Sequence, residues 1–204
     1  NVDVKKTSVV DLGFSLTTKE IKHPINIKRP YLLFVGNRSG YKNFLRFLEA
    51  YSSKIIKDTF DLVIFGGGQL TFKELEIMDN LKIPRNYVKQ VSGSDSILAG
   101  YYKNAALFIY PTLYEGFGFP PLEAMSYGCP VICSNGGSIP EVVSDAALLF
   151  DPYSVNSIKE KIQKVMTNEK LQLLLINKGF ERVKQFSWER CARETYEIYR
   201  KILD

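Results

Sequence analysis

The sequence predicts an α/β domain, a doubly wound parallel sheet of about six strands with helices on both faces. Short apolar runs alternate along the chain with segments of helical periodicity. These runs are apolar throughout rather than at every second position, as expected of strands that are buried on both faces. The 204 residues are 45% hydrophobic and 24% charged, which is enough for one packed core and argues against a disordered chain.

Six apolar runs are predicted as strands. In chain order they are Tyr31–Val35, Leu62–Phe65, Val88–Val91, Ala106–Tyr110, Val131–Cys133 and Ala147–Phe150. Helices are predicted from apolar residues three and four apart and from capping and proline signals. They cover Phe44 to Ile55, Phe72–Leu81, Ser94–Asn104, Pro121–Tyr127 and Ser138–Val143, and three more start near Val155, Lys170 and Trp188. In such a Rossmann-like domain, ligands bind beyond the carboxyl ends of the strands, where the strand order reverses.

Residues 1–30 differ from the rest of the chain. They are polar and rich in lysine, with one short apolar stretch at Ser8–Val10, and are predicted to be an interdomain linker with a strand remnant. Residues 31–204 are predicted to form the ligand-binding domain and its C-terminal helices. Because the first residue is Asn1, we expect a piece of a longer protein. No signal peptide opens the sequence, and no apolar run approaches the ~20 residues of a membrane helix.

Composition excludes several functional classes. The net charge of +5 is scattered, which favours a small anionic ligand or a membrane surface over nucleic acid. The cysteines, Cys129, Cys133 and Cys191, are too few for a disulfide framework and are expected to be small hydrophobic residues in a reducing compartment. Zinc would need more ligands than these, since His23 is the only histidine.

The loop after the first predicted strand is basic. Gly36 and Gly40 permit unusual backbone angles, and Arg38 and Lys42 place two cations beside the start of a helix. This combination favours an anion such as a diphosphate, although a solvated basic turn stays open as an alternative. Gly66-Gly67-Gly68 ends the second strand and permits either the close approach of a ligand or a tight turn. No dinucleotide or P-loop motif is present.

The fourth strand leads into a loop with two glutamates eight positions apart. Glu115 lies on a glycine loop, and Glu123 is expected in the first turn of the next helix, beside the positive end of its dipole. Carboxylates there can accept hydrogen bonds from vicinal hydroxyls, while loop N–H groups meet phosphate or sugar oxygens. The pattern favours a nucleotide sugar. The alternative for Glu123 alone is an acid that stabilises its own helix.

The motifs Glu115 to Met125, Gly128 to Ile132 and Gly136 to Val143 resemble the nucleotide-sugar-binding half of retaining GT-B glycosyltransferases. They are most similar to family four, which includes bacterial mannosyl- and glucosyltransferases of polysaccharide and lipopolysaccharide assembly. The resemblance runs from about Tyr31 to the end of the chain. It implies the C-terminal half of a GT-B fold, in which the last helix, starting near Trp188, packs back toward an N-terminal half. Whether the apolar residues of that helix are exposed or close this domain's own core is left open.

The resemblance also implies roles for individual residues. Arg38 and Lys42 would neutralise the donor diphosphate, Glu115 would face the donor sugar, and Glu123 would hold the ribose hydroxyls. The other donor contacts implied are Gly36, Gly66, Gln90, Val91, Leu98, Phe117, Gly118 and Phe119. One departure is that many members place the arginine directly after the strand glycine, whereas here Asn37 intervenes, which leaves the aim of Arg38 less defined than that of Lys42.

The activity implied is transfer of a hexose, with mannose from GDP-mannose favoured over UDP-hexoses, to a glycan or lipid-linked acceptor. The anomeric configuration would be retained, and neither a cofactor nor a divalent metal is required. Because the acceptor domain would lie outside this chain, we expect the fragment to be inactive alone. The enzyme would be cytoplasmic, with peripheral contact with the inner membrane as an open option.

Two alternatives remain at this point. A sugar-nucleotide epimerase on the same scaffold would need acid–base residues at the cleft, often histidine, and His23 lies in the linker. A non-catalytic module that binds a nucleotide sugar would be distinguished by the absence of an upstream acceptor domain in the source gene.

Overall fold

The computed structural model describes residues 7–15 and 25–203. All neighbouring strands of its sheet pair in parallel, in the order β3-β2-β1-β4-β5-β6. The strands are β1 (Tyr31–Val35), β2 (Asp61–Phe65), β3 (Val88–Val91), β4 (Leu107–Tyr110), β5 (Val131–Ser134) and β6 (Leu148–Phe150). The predicted fold is confirmed, with each strand within one residue of its predicted bounds. The strand order reverses between β1 and β4, and this switch point is the place where such sheets bind ligands.

Nine α-helices lie in the described part of the chain. They are α1 (Phe44–Tyr51), α2 (Lys54–Lys57), α3 (Phe72–Asn80), α4 (Asp95–Asn104), α5 (Phe119–Ser126), α6 (Ile139–Val143), α7 (Val155–Met166), α8 (Glu169–Val183) and α9 (Trp188–Leu203). Short 3-10 turns at Gly40–Lys42, Arg85–Tyr87 and Ser144–Ala146 join some of them. The single helix expected from Phe44 to Ile55 is two, because Ser53 leaves the helical conformation.

Successive strand residues face two separate cores, as the period of two in a strand requires. Leu32 and Phe34 of β1 pack toward α1 and α7, whereas Tyr31 and Leu33 pack on the other face, toward α4 and α5. Helices therefore cover both faces of the sheet. Cys129 and Cys133 are buried, and burial raises the pKa of both thiols, in keeping with the prediction that they are small core residues.

Helix α5 begins two residues earlier than the sequence predicts. Its N-cap is Gly118, whose φ of 121° breaks the chain direction just before Phe119. Glu123 therefore lies in the second turn, and the expectation that it occupies the first turn is wrong. A role as an acid that stabilises the start of its own helix is weakened accordingly, since that effect fades beyond the first turn.

The described residues 7–15 contain no strand, so the strand remnant expected at Ser8–Val10 is also wrong. Val9 is exposed, and so short an apolar run does not hold a strand without a pairing partner. The segment instead runs beside the start of α9, where Gly13 packs against Trp188 so tightly that a Cβ would lie 2.5 Å from the indole. His23 lies outside the described residues.

Helix α9 leaves its apolar side exposed. Trp188, Tyr196, Tyr199 and Ile202 are all more than half exposed, and no described residue of the helix is buried. These apolar residues of the last helix are therefore exposed and do not close the core of this domain. Among the described residues, none of the helices combines the length and the apolar character needed to cross a bilayer.

Candidate functional site

The site forms where the loops after β1 and β4 meet at the switch point. Lys42 Nζ donates to Glu115 Oε1 over 2.8 Å, which joins the two loops by an ion pair. Their backbones are tied as well, because Leu113 N–H donates to the Tyr41 carbonyl over 2.7 Å. Buried Asn43 adds a third link by donating its side-chain amide to the Pro111 carbonyl at 3.0 Å. The structure thus brings together a lysine and a glutamate that lie 73 positions apart.

Lys42 and Glu115 line an open cavity of about 550 Å³. Its other lining residues are Leu12, Tyr110, Gly116, Phe117, Gly118, Phe119 and Pro120. Of the residues predicted from the sequence, Phe117, Gly118 and Phe119 therefore lie beside Lys42 and Glu115. The volume is in the range of small-molecule sites.

Aromatic rings surround the ammonium of Lys42. It lies 5.1 Å from the ring centre of Tyr41 and 5.4 Å from that of Tyr110. Burial raises the pKa of the Tyr110 phenol, and the negative charge of Glu115 raises it further. Tyr110 therefore stays protonated at neutral pH and leaves Lys42 and Glu115 as the charged groups of this cavity.

The loop that carries Glu115 is held from behind by the turn before α6. The single hydroxyl hydrogen of Ser138 is shared between the carbonyls of Glu115 (3.0 Å from Oγ) and Phe117 (2.9 Å). Gly137 has a φ of 60°, and a Cβ there would lie 2.9 Å from the Glu115 carbonyl oxygen, so only glycine allows this close approach. The Gly136-Gly137-Ser138 turn thereby fixes the backbone whose glycines face the cavity.

Arg38 lies in a different environment from Lys42, although both belong to the loop after β1. Its side chain is buried, and Nε donates to Glu74 Oε1 at 2.7 Å while Nη2 donates to Glu74 Oε2 at 3.3 Å. The remaining N–H groups meet the carbonyls of Gly66 (3.3 Å), Gly68 (3.0 Å) and Gln69 (2.7 Å). All five N–H donors of the guanidinium thus have protein acceptors.

Glu74 combines this ion pair with a capping box at the start of α3. Its carboxylate accepts from the Thr71 N–H (2.7 Å) and hydroxyl (2.9 Å), and Thr71 Oγ1 in turn accepts from the Glu74 N–H. Burial alone would raise the pKa of Glu74, but the hydrogen bonds from Arg38 and Thr71 outweigh it and lower that pKa. The carboxylate is therefore ionised wherever the protein is folded near neutral pH.

The two cations do not share a cavity. Arg38 and Glu74 line a larger one, of about 660 Å³, on the side of α1 and α3. Lys42 faces the loop before α5 instead. The structure does not bring Arg38 and Lys42 together as a pair.

Glu123 lies beside a smaller cavity of about 120 Å³ between α4 and α5. Leu98 lines the same cavity, so these two predicted donor contacts are brought together, with Phe14 of the N-terminal segment closing it. Tyr102 of α4 donates its hydroxyl to Glu123 Oε2 over 3.0 Å.

The last predicted contacts lie at the ends of β2 and β3. Gln90 Nε2 donates to the Gly66 carbonyl (3.3 Å) and the Val91 carbonyl (3.0 Å), and Gly66 N–H donates to Val91 (2.9 Å). Gly36 N–H reaches the Phe65 carbonyl over 2.9 Å. Gly36, Gly66, Gln90 and Val91 therefore form one connected edge, adjacent to Arg38 rather than to Glu115.

Four residues of the site were not singled out in the sequence: Glu74, Tyr102, Tyr110 and Asn43. Thr71-x-x-Glu74 is a readable capping box, but its pairing with Arg38 is a contact across 36 positions. No local pattern indicates the other three. Within the described residues, no group of three or more His, Cys, Asp or Glu side chains could hold a metal ion.

Comparison with known proteins agrees with the fold and identifies the family. The family model of glycosyl transferases group 1 matches residues 17–182. The chain belongs to this family. This glycosyltransferase domain is 33% identical over 177 residues to the O-antigen chain mannosyltransferase B of Escherichia coli, a match that covers 84% of this chain and 46% of that enzyme.

Solved structures place the domain within the GT-B architecture. It matches sucrose-phosphate synthase from Thermosynechococcus elongatus with a TM-score of 0.71 and 25% identity, over 86% of this chain and 46% of that one. It also matches the C-terminal domain of a glycosyl transferase group 1 protein from Francisella tularensis, with a TM-score of 0.63 and 23% identity, over 78% of this chain and 87% of that domain. The chain spans about half the length of the E. coli mannosyltransferase and of the synthase. The glycosyltransferase domain therefore has the fold of a GT-B C-terminal half.

Proposed function

We propose that this domain binds the nucleoside diphosphate sugar donor of a hexosyltransferase, with mannose as the sugar. The observation that carries the proposal is the Lys42–Glu115 ion pair across the sheet's switch point, in a cavity faced by the glycine loop before α5. The similarity to an O-antigen chain mannosyltransferase supports mannose as the sugar. GDP-mannose as its donor is part of the proposal.

Lys42 would supply the positive charge that the leaving diphosphate needs. Its ammonium has three N–H donors, and Glu115 holds one of them, so that it can direct others toward phosphate oxygens. Negative charge grows on the diphosphate as the bond to the sugar breaks, and a cation fixed in advance stabilises that transition state. Glu115 would both orient Lys42 and face the hydroxyls of the sugar.

Arg38 would act by positioning rather than by contact with the diphosphate. The prediction that it neutralises phosphate beside Lys42 would require it to leave Glu74 and three backbone carbonyls. We therefore propose that Arg38 shapes the Gly66–Gly68 loop, along which the nucleoside lies with Gln90 and Val91 at the base.

The whole enzyme would transfer the hexose to a glycan or lipid-linked acceptor held by a second domain. Attack of the acceptor hydroxyl on the face that the diphosphate leaves would retain the anomeric configuration. This domain alone would bind the donor without transferring it, and no divalent ion would be required. We also propose that the whole enzyme acts at the cytoplasmic face of a membrane.

Titration calorimetry with GDP, UDP, GDP-mannose and UDP-glucose tests the proposal. We expect measurable binding of nucleoside diphosphates, with GDP-mannose favoured, and the same affinities in the presence of a chelator. The absence of a binding signal with all four ligands would overturn the proposal that the domain binds the donor. Binding of UDP-glucose in preference to GDP-mannose would overturn the assignment of base and sugar and leave donor binding intact.

A further inference from the structure

Tyr102 holds Glu123 from a neighbouring helix. The tyrosine is fully buried on α4, and its hydroxyl donates to Glu123 Oε2 over 3.0 Å. Its ring is fixed on two sides: it stacks on Tyr127 at 6.2 Å and 7°, and it meets Phe108 edge-on at 5.4 Å and 82°. A ring held in this way cannot swing its hydroxyl away from the carboxylate.

The direction of this hydrogen bond is fixed as well. Burial, and then the charge of Glu123, raise the pKa of the Tyr102 phenol well above its usual range. The Tyr102 hydroxyl therefore stays protonated at neutral pH and donates to Glu123. Donation to one oxygen restrains the rotation of the carboxylate.

The hydrogen bond from Tyr102 reaches Glu123 from outside its own helix. It lies in the second turn of α5, beyond the first-turn N–H groups that a helix start offers to an acid. The cavity that Glu123 shares with Leu98 lies between α4 and α5, the two helices that the hydrogen bond joins. A residue of α4 thus holds one oxygen of the carboxylate at this cavity.

We propose that Tyr102 is a positioning residue that aims the Glu123 carboxylate at the 2′- and 3′-hydroxyls of the donor ribose. Two vicinal hydroxyls need two acceptor directions at once, so a carboxylate whose rotation is restrained binds them better than one that rotates freely. This proposal rests on the proposed function and on the ribose contact that the family resemblance implies for Glu123.

The test compares two forms of one nucleotide. GDP and UDP are titrated into the protein with their 2′,3′-dideoxy counterparts, and the measurements are repeated with Tyr102→Phe. We expect Tyr102→Phe to weaken binding of the ribose forms about 3- to 10-fold, as for the loss of one net hydrogen bond, and to leave the dideoxy forms unchanged. Glu123→Gln should remove the preference for ribose, and adding Tyr102→Phe to it should change nothing further.

A matched control separates orientation from packing. Tyr51 is another fully buried tyrosine whose hydroxyl donates, at 2.8 Å, to the Phe60 carbonyl in the core on the other face of the sheet. Tyr51→Phe should leave both nucleotide forms unaffected. An equal loss for ribose and dideoxyribose forms in Tyr102→Phe, or no loss for either, would overturn the positioning role while leaving donor binding intact. Absence of binding by the unmodified protein would remove both proposals.

Discussion

Arg38 and Lys42 lie four residues apart in one loop, yet the fold uses their charges in opposite ways. Arg38 is buried, and Glu74 and three carbonyls take all five of its N–H donors. Lys42 meets one carboxylate at the wall of an open cavity. A basic residue at a ligand-binding edge is therefore not by itself a ligand contact: what matters is how many of its donors the protein has already used.

The difference also follows from the chemistry of the two side chains. A guanidinium presents five donors in a rigid plane, which suits a carboxylate on one side and the carbonyls of a tight glycine loop on the other. An ammonium on a flexible stem keeps donors available for a mobile phosphate. Arg38 thus belongs to the framework of the loops and Lys42 to the site that the framework supports.

Removal of the buried arginine should have the largest effect on stability. Arg38→Ala leaves Glu74 buried without its cation, and breaking a buried pair in this way costs about 3–5 kcal/mol. Urea denaturation followed by circular dichroism measures the free energy of unfolding. Arg85→Ala, which breaks the exposed pair with Asp79, is the control and should change it little. Equal effects of the two variants would contradict a structural role for Arg38.

Lys42→Ala should instead have its main effect on ligand binding. We expect nucleoside diphosphate affinity to fall roughly 10- to 100-fold, as for a charge-assisted hydrogen bond worth about 1.5–3 kcal/mol. The loss of stability should be smaller than for Arg38→Ala, because one hydrogen bond joins Lys42 to Glu115 beside open space. Calorimetric titration measures the affinity. Lys178→Ala, at an exposed pair with Asp145, should bind as the unmodified protein does; an unchanged affinity in Lys42→Ala would remove it from the site.

Alanine variants of two neighbouring glycines test whether Arg38 packs against the Gly66–Gly68 loop. Gly67 and Gly68 have nearly equal φ values, 70° and 71°, but a Cβ on Gly67 would lie 2.7 Å from Arg38 Nη1, whereas one on Gly68 would meet nothing within 4 Å. Both alanine variants incur backbone strain of about 1–3 kcal/mol. Gly67→Ala should be the less stable of the two in thermal denaturation, and the difference reports the close contacts with Arg38 and with the Gly36 carbonyl, 3.0 Å away. Equal melting temperatures would contradict close packing of Gly67 against the guanidinium and the Gly36 carbonyl.

Acid should reduce the stability that the Arg38–Glu74 ion pair contributes, by less than the substitution Arg38→Ala does. The pKa of Glu74 is lowered in the folded protein from its ordinary value of 4.5, so its ionised form contributes stability above that value. The contribution is lost as the pH falls through the lowered pKa. The stability advantage of the unmodified protein over Glu74→Gln should therefore be constant at neutral pH and shrink below about pH 4.5. An advantage that did not change with acid would exclude ionised Glu74 as its source.

The sheet could be predicted from the sequence because its signal is local. A strand buried on both faces must be apolar along its whole length, and each run carries that information in its own four or five residues. The start of α5 was misplaced because a glycine with positive φ can either extend a loop or cap a helix, and the sequence Gly118-Phe119-Pro120-Pro121 permits both.

The site could be predicted only where its parts follow strands. Lys42, Glu115 and the Phe117–Phe119 loop meet because parallel strands end at one edge of the sheet, which topology guarantees. The partner of Arg38 is Glu74 of α3, and the partner of Glu123 is Tyr102 of α4. The identity of Glu74 or Tyr102 does not predict which part of the chain the side chain will contact.

Side-chain NMR during a titration with GDP tests the division between the two cations most directly. The Nε–H signal of Arg38 and the Nζ signal of Lys42 report separately on the two groups. The Lys42 signal should shift in a saturable manner while the Arg38 signal, held by Glu74, stays in place. A saturable shift of Arg38 with no change at Lys42 would contradict the account and assign the diphosphate to the arginine.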